Sequence, residues 1–149
     1  MAEINCCRIL CDAGGVIGEL KRRTIKYPPA MRTALITRHM FDAGFELEIA
    51  VKPAGRGDVP YVAACASRVI GFLVLVLYAL NRCYFINEKG SFAESKDFEL
   101  LPAGFHADAR DILAHLGGDP DALRVTLARL EALVEAVRNL SSHQDANAS

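Results

Sequence analysis

Apolar residues recur at three- and four-residue steps through three long stretches of this chain, and that spacing predicts three long helices. In the first, Leu35, Ile36, His39, Met40, Ala43, Leu47 and Ala50 share one face of a helix running from Pro29 to Val51. Tyr27-Pro28 breaks the pattern ahead of it, because a residue before proline is pushed out of the helical region. Pro29 suits a first helical turn. The run Pro53-Ala54-Gly55-Arg56-Gly57 reads as a stop. In the second stretch Asp58 is a natural N-cap and Pro60 is tolerated in the first turn. Val69 to Leu80 is then apolar without a break, and the helical pattern around it extends from about Val59 to Phe85. A helix apolar on every side belongs at the centre of a bundle. In the third, Asp119-Pro120 provides cap and first turn, and Leu123, Leu127, Leu130, Leu133, Val134 and Val137 form a stripe ending near Leu140.

The shorter segments are less periodic. Asn5 to Cys11 reads as a strand, followed by a turn at Asp12-Ala13-Gly14-Gly15. Val16 to Thr24 reads as a short amphipathic helix. Ser91 to Gly104 reads as a polar loop or short helix, and Phe105 to Leu116 as a helix closed by Gly117-Gly118. Ser141 to Ser149 is polar and is expected to be a disordered tail. The fold expected is mainly α: an antiparallel four- to five-helix bundle with a short N-terminal strand or extended segment. It divides into a strand and short helix over residues 1–26, a bundle over 27–140 and a tail over 141–149. A lone strand is not stable in water, so this one needs a partner or is not a strand.

Composition narrows the function classes. The chain has 149 residues, enough for one domain with its own core. Its formal net charge of −1 gives no bulk attraction to nucleic acid or to an anionic membrane. The apolar run is too short to span a bilayer before Arg68 or Arg82 interrupts it. Glu3 and Arg8 interrupt any secretory leader, so the expected compartment is the cytoplasm. Five cysteines, Cys6, Cys7, Cys11, Cys65 and Cys83, lack metal-binding spacing and read as structural thiols. No metal site is expected.

Candidate chemistry concentrates where the apolar helix ends. Asn81, Arg82, Tyr84, Glu88 and Lys89 follow directly on the apolar run. An unpaired buried amide costs a few kcal/mol, so Asn81 must find partners or face a cleft. If the helix continues, Asn81, Tyr84 and Glu88 share a face, and Lys89 offers a mobile cation to a phosphate. The other reading is helix-end capping with a surface ion pair. Arg68, in apolar company, fits either a pair with Asp42, Glu46 or Glu48 or an anion contact. Arg110 and His115 are spaced like the R-x(4–6)-H motif of HEPN-domain ribonucleases, which act as dimers. A solvated helix face is the simpler account of them.

The order of Ile9-Leu10-Cys11-Asp12-Ala13-Gly14-Gly15, Tyr27-Pro28-Pro29, Arg56-Gly57-Asp58, Ala79-Leu80-Asn81-Arg82 and Asn87-Glu88-Lys89-Gly90 resembles the C-terminal helical domain of bacterial nucleotidyltransferase-domain proteins, broadly related to aminoglycoside nucleotidyltransferases. The resemblance spans about Cys7 to Leu140. It implies a catalytic α/β domain to which the N-terminal strand would belong, with Asn81 and Lys89 facing nucleotide phosphates or acceptor and Glu88 as an acceptor-side base. Arg82, Tyr84 and Arg68 complete the implied binding set. The family's signature, a Gly-Ser pair followed by an Asp-x-Asp on the next strand, which holds two metal ions, is missing here. The resemblance therefore implies a chain inactive by itself, with Mg and a nucleoside triphosphate arriving with a catalytic domain. Expected partners are that domain or a second copy of the chain, together with a nucleotide or small-molecule acceptor. The alternative is a stand-alone helical interaction module or a HEPN-like ribonuclease acting as a homodimer through Arg110 and His115.

Overall fold

The computed structural model describes the backbone of residues 1–146 and side chains as far as His143. The described residues form a mainly helical bundle: α1 (Ala2–Cys6), α2 (Val16–Thr24), α3 (Pro29–Ala54), α4 (Val59–Leu80), α5 (Ser91–Glu94) running into a 3₁₀ turn (Ser95–Asp97), α6 (Phe105–Ala114) and α7 (Pro120–Ala146).

Helices α3 and α4 form the central hairpin, the most extensively packed pair in the molecule. They run antiparallel. Going up α4 the partners step down α3: Arg68 Nε meets Glu46 Oε1 at 2.7 Å, then the Phe72 ring stacks on His39 at 5.8 Å. The connection is tight because Asp58 caps α4, its Oδ1 accepting from the Tyr61 amide at 3.2 Å. On α3 the residues Ala43, Ala50 and Ala54 are fully enclosed, so small side chains lie where the neighbouring helices press closest. On α4 twelve residues are buried, among them Val69, Leu73, Val76 and Leu77. They pack against Phe105, Ala109 and Ile112 of α6 and Leu130, Leu133 and Val137 of α7. The whole of α4 is long and apolar enough to cross a membrane by length and composition, a broader measure than the unbroken run alone. Enclosure by α3, α6 and α7 accounts for that apolarity in the bundle.

Four boundaries differ from the sequence expectation. Asn5–Cys11 contains no strand: Ala2–Cys6 is a short helix, and the Asn5 Nδ2 donates to Thr24 O at 3.1 Å and Thr24 Oγ1 at 3.2 Å. The segment that needed a strand partner instead packs on α2. Helix α3 passes through Pro53 to Ala54. A proline in the last turn removes one backbone donor, and the Gly55 amide still closes that turn on Val51 O at 3.1 Å. Helix α4 stops at Leu80, short of Phe85. Helix α7 continues beyond Leu140 to Ala146, so 141–146 is not a tail. The Ser141 and Ser142 hydroxyls donate back to Arg138 O, which keeps these polar residues compatible with the helix. Residues 147–149 lie outside the described part. The α6–α7 corner requires glycine: Gly117 has φ +86, and a Cβ there would meet Ala122 Cβ at 2.4 Å.

Candidate functional site

The exit of α4 is a built corner. Asn81 caps the helix, and its side chain satisfies three backbone groups. Its Nδ2 donates to Leu77 O at 2.8 Å and to Leu100 O at 2.9 Å, and its Oδ1 accepts from the Leu100 amide at 2.9 Å. Arg82 then adopts φ 54, a left-handed conformation rare outside glycine, and the Cys83 amide returns to Tyr78 O at 2.9 Å. The chain leaves the helix there. Asn81, Tyr84 and Glu88 therefore do not share a helical face, which corrects the expectation of a continuing helix. Asn81 is a clamp between α4 and the 98–101 loop.

Tyr84 reaches the other way. Its hydroxyl donates to Thr24 O at 3.1 Å, and its ring lies 4.8 Å from that of Tyr27, tying α2 to the corner. Arg68 takes the structural option: it pairs with Glu46, with an Arg68 Nη2 to Glu46 Oε2 distance of 2.8 Å. The Arg68 guanidinium holds the Glu46 carboxyl below its ordinary range, since a hydrogen-bonded cation favours the ionised form. Arg82, Glu88 and Lys89 are exposed. Among the described residues Glu88 has no side-chain partner, and the Asn87 side chain accepts from the Lys89 amide at 2.9 Å.

Two cavities meet at this corner, and both are lined by Leu75 and Phe85. One, of about 490 Å³, opens toward α1 and α3 and is lined by Tyr27, Met31, His39, Tyr78 and Cys83. The other, of about 360 Å³, opens toward α6 and is lined by Ile70, Val74, Glu88, Phe92 and Arg110. The Arg110 guanidinium sits 5.8 Å over the Phe92 ring, a cation–π contact that positions it without neutralising it. The second cavity thus offers one carboxylate and one guanidinium above an apolar floor. Arg110 and Glu88 are brought to one cavity from separate parts of the sequence. Arg110 and His115 are not: His115 follows the end of α6 and its Nδ1 lies 2.9 Å from Asp111 Oδ1, and Asp111 also meets Arg129 at 2.6 Å. That arrangement is a surface network.

Tyrosine hydroxyls near the corner stay protonated at neutral pH. Burial pushes Tyr27, Tyr78 and Tyr84 up, and Glu94, which accepts from Tyr78 at 2.7 Å, raises Tyr78 further. Burial likewise raises the Cys83 thiol. All five cysteines are free. Among the described residues no group of three or more His, Cys, Asp or Glu side chains is placed to hold a metal ion. Sequence reasoning overlooked Tyr27 and His39 as cavity residues. His39 falls on the apolar stripe of α3 and reads as core. For Tyr27 the only signal was an aromatic ring fixed by the following Pro28-Pro29.

A larger cleft, of about 950 Å³, lies between α3 and α7, lined by Leu47, Val51, Leu127 and Val134 with Glu48 and Glu131 at its rim. None of the site residues expected from sequence falls there. No curated protein matches the chain, and no solved structure matches it. One family model, described as a domain of unknown function (DUF4037), matches residues 1–89, which takes in α1 to α4 and the corner as far as Lys89. This covers more than half of the chain, which therefore belongs to the DUF4037 family.

Proposed function

We propose that this chain is the helical, substrate-side domain of a nucleotidyltransferase-like protein and is inactive until a catalytic domain docks on its N-terminal segment. The observation that supports this most is the exposure of apolar side chains in the first 25 residues: Leu10 at 85%, Ile25 at 75%, Val16 at 62%, with Ile9, Ile17 and Leu20 also exposed. Helices α1 and α2 pack chiefly on each other. Exposed apolar side chains concentrated in one short segment are what a protein partner would cover.

On this reading the acceptor lies in the cavity between Phe92 and Glu88. Arg110 fixes an anionic or strongly polar end of it, and the free Glu88 carboxylate takes the acceptor's proton. Exposed Lys89 sits beside Glu88, able to meet phosphate oxygens arriving with the partner. Mg and the nucleoside triphosphate would be held by the catalytic domain, whose paired carboxylates clamp the departing pyrophosphate.

The test is a nucleotide-transfer assay with Mg-ATP on the chain alone and with a nucleotidyltransferase catalytic domain joined or added. The chain alone gives no turnover, and the combination does. Glu88→Gln then lowers turnover of the combination by about 100-fold, the scale of a lost general base. Turnover by the isolated chain contradicts the proposal.

A further inference from the structure

The cavity on the α1 side of Phe85 has a chemistry different from that of the Glu88–Arg110 cavity. Its side chains include no carboxylate, lysine or arginine. Aromatic groups surround it. Tyr27 and Tyr84 are tilted by 43° at 4.8 Å, and Tyr78 meets Phe85 edge-on at 5.3 Å, which leaves ring faces and edges at different angles around one space. Such surroundings favour another aromatic ring, because faces and edges carry opposite partial charge.

Most of the polar atoms at its wall are already used. Tyr78 donates to Glu94 and Tyr84 donates to Thr24. The Cys83 thiol lies 3.5 Å from Asn81 O. Two are not. Tyr27 is only 7% exposed, and its hydroxyl has no hydrogen-bond partner among the described residues. The His39 Nδ1 lies 3.4 Å from Asp42 Oδ2, in ion-pair range but without hydrogen-bond alignment, and its Nε2 has no partner among the described residues. His39 Nδ1 is buried without a hydrogen bond, and a buried polar atom left so is costly unless something completes it. A volume of about 490 Å³ falls within the size of small-molecule sites.

We infer that this cavity binds an uncharged, planar aromatic or heteroaromatic molecule, stacked among Tyr27, Tyr78 and Phe85 and hydrogen-bonded at one edge to the Tyr27 hydroxyl and the His39 ring. The Tyr27 hydroxyl, kept uncharged by burial, accepts an N–H at that edge. The site does not depend on the transferase reading, because it uses neither Glu88 nor Arg110.

Indole serves as the probe and cyclohexanol as its non-planar counterpart. Amide and side-chain resonances of the isotope-labelled chain are followed while each is added. Indole is expected to shift resonances of Tyr27, Met31, His39 and Cys83, and cyclohexanol to bind at least tenfold more weakly. Tyr27→Phe, which keeps the ring, weakens indole binding several-fold, and Met31→Trp, which fills the cavity, abolishes it while the helical signal is retained. Should Met31→Trp not fold, the shift map of the wild-type chain and Tyr27→Phe still decide. The inference is overturned if indole shifts none of these resonances, if cyclohexanol binds as well as indole, or if Tyr27→Phe leaves indole affinity unchanged.

Discussion

Leu10 and Leu77 are the same residue in opposite settings. Leu10, between α1 and α2, is 85% exposed, whereas Leu77, at the centre of α4, is completely enclosed. The contrast holds for their surroundings. The bundle from α3 onward finds internal partners for its apolar side chains, packing α4 on three sides. The N-terminal segment is tied to the bundle by the Tyr84 hydroxyl on Thr24 O, with Asn5 on Thr24 holding α1 to α2, and leaves several large apolar side chains outward. The bundle is thus complete as a packed unit, while the N-terminal segment has the surface of something that is covered. Stability should reside in the first region and association in the second.

The widest break between them comes from truncating each leucine. Leu77→Ala removes a fully enclosed side chain and is expected to cost about 2–5 kcal/mol in urea unfolding. Leu10→Ala should stay within about 0.5 kcal/mol of the wild type. Comparable losses at the two positions would erase the distinction.

Next in size is the α6–α7 corner. Gly117→Ala forces a left-handed residue to carry a Cβ into Ala122, so thermal unfolding should reveal a loss of about 2–3 kcal/mol. Slightly smaller is the corner clamp. Asn81→Ala leaves Leu100 O and the Leu100 amide without their partner, while Leu77 O keeps the amide of residue 81, and should cost about 1–3 kcal/mol. Asn81→Asp sharpens the point: it keeps the acceptor for the Leu100 amide but turns a carboxylate toward two carbonyls. It should not rescue the loss.

The smallest effect is the Arg68–Glu46 pair. Arg68 lowers the Glu46 pKa, so the folded state favours the ionised carboxyl. That contribution is present above the ordinary glutamate range and disappears as pH falls through the lowered value. The Arg68 side chain is 45% exposed, so screening limits the pair to under about 1 kcal/mol. The stability gap between wild type and Glu46→Gln should be largest near neutral pH and close on acidification.

Where local physics decided the outcome, the fold could be read from sequence. Asp58, Pro29 and Asp119-Pro120 start helices through capping and fixed φ, and the stripes of α3, α4 and α7 end up buried or partly buried against the core. Where a distant contact decided, it could not. Asn5 is helical partly because Thr24 accepts from it nineteen residues away. Arg82 turns left-handed as the chain leaves α4 at the Asn81 clamp, which depends on Leu100. The candidate site divides the same way. The α4 exit was visible as a run of polar residues after an apolar helix. That Glu88 and Arg110 line one cavity was not, because only the packing of α6 against α4 brings them together.

The central claim is that the N-terminal apolar surface receives a catalytic domain that this chain needs for nucleotide chemistry. Calorimetry tests it directly: a nucleotidyltransferase catalytic domain is titrated into the chain in Mg-ATP, with the wild type and with Leu10→Asp combined with Val16→Asp. The account predicts saturable binding to the wild type, loss of binding in the double variant, and the same urea midpoint for both chains. Saturable Mg-ATP binding and turnover by the chain without the domain, or undiminished association of the double variant, would contradict it.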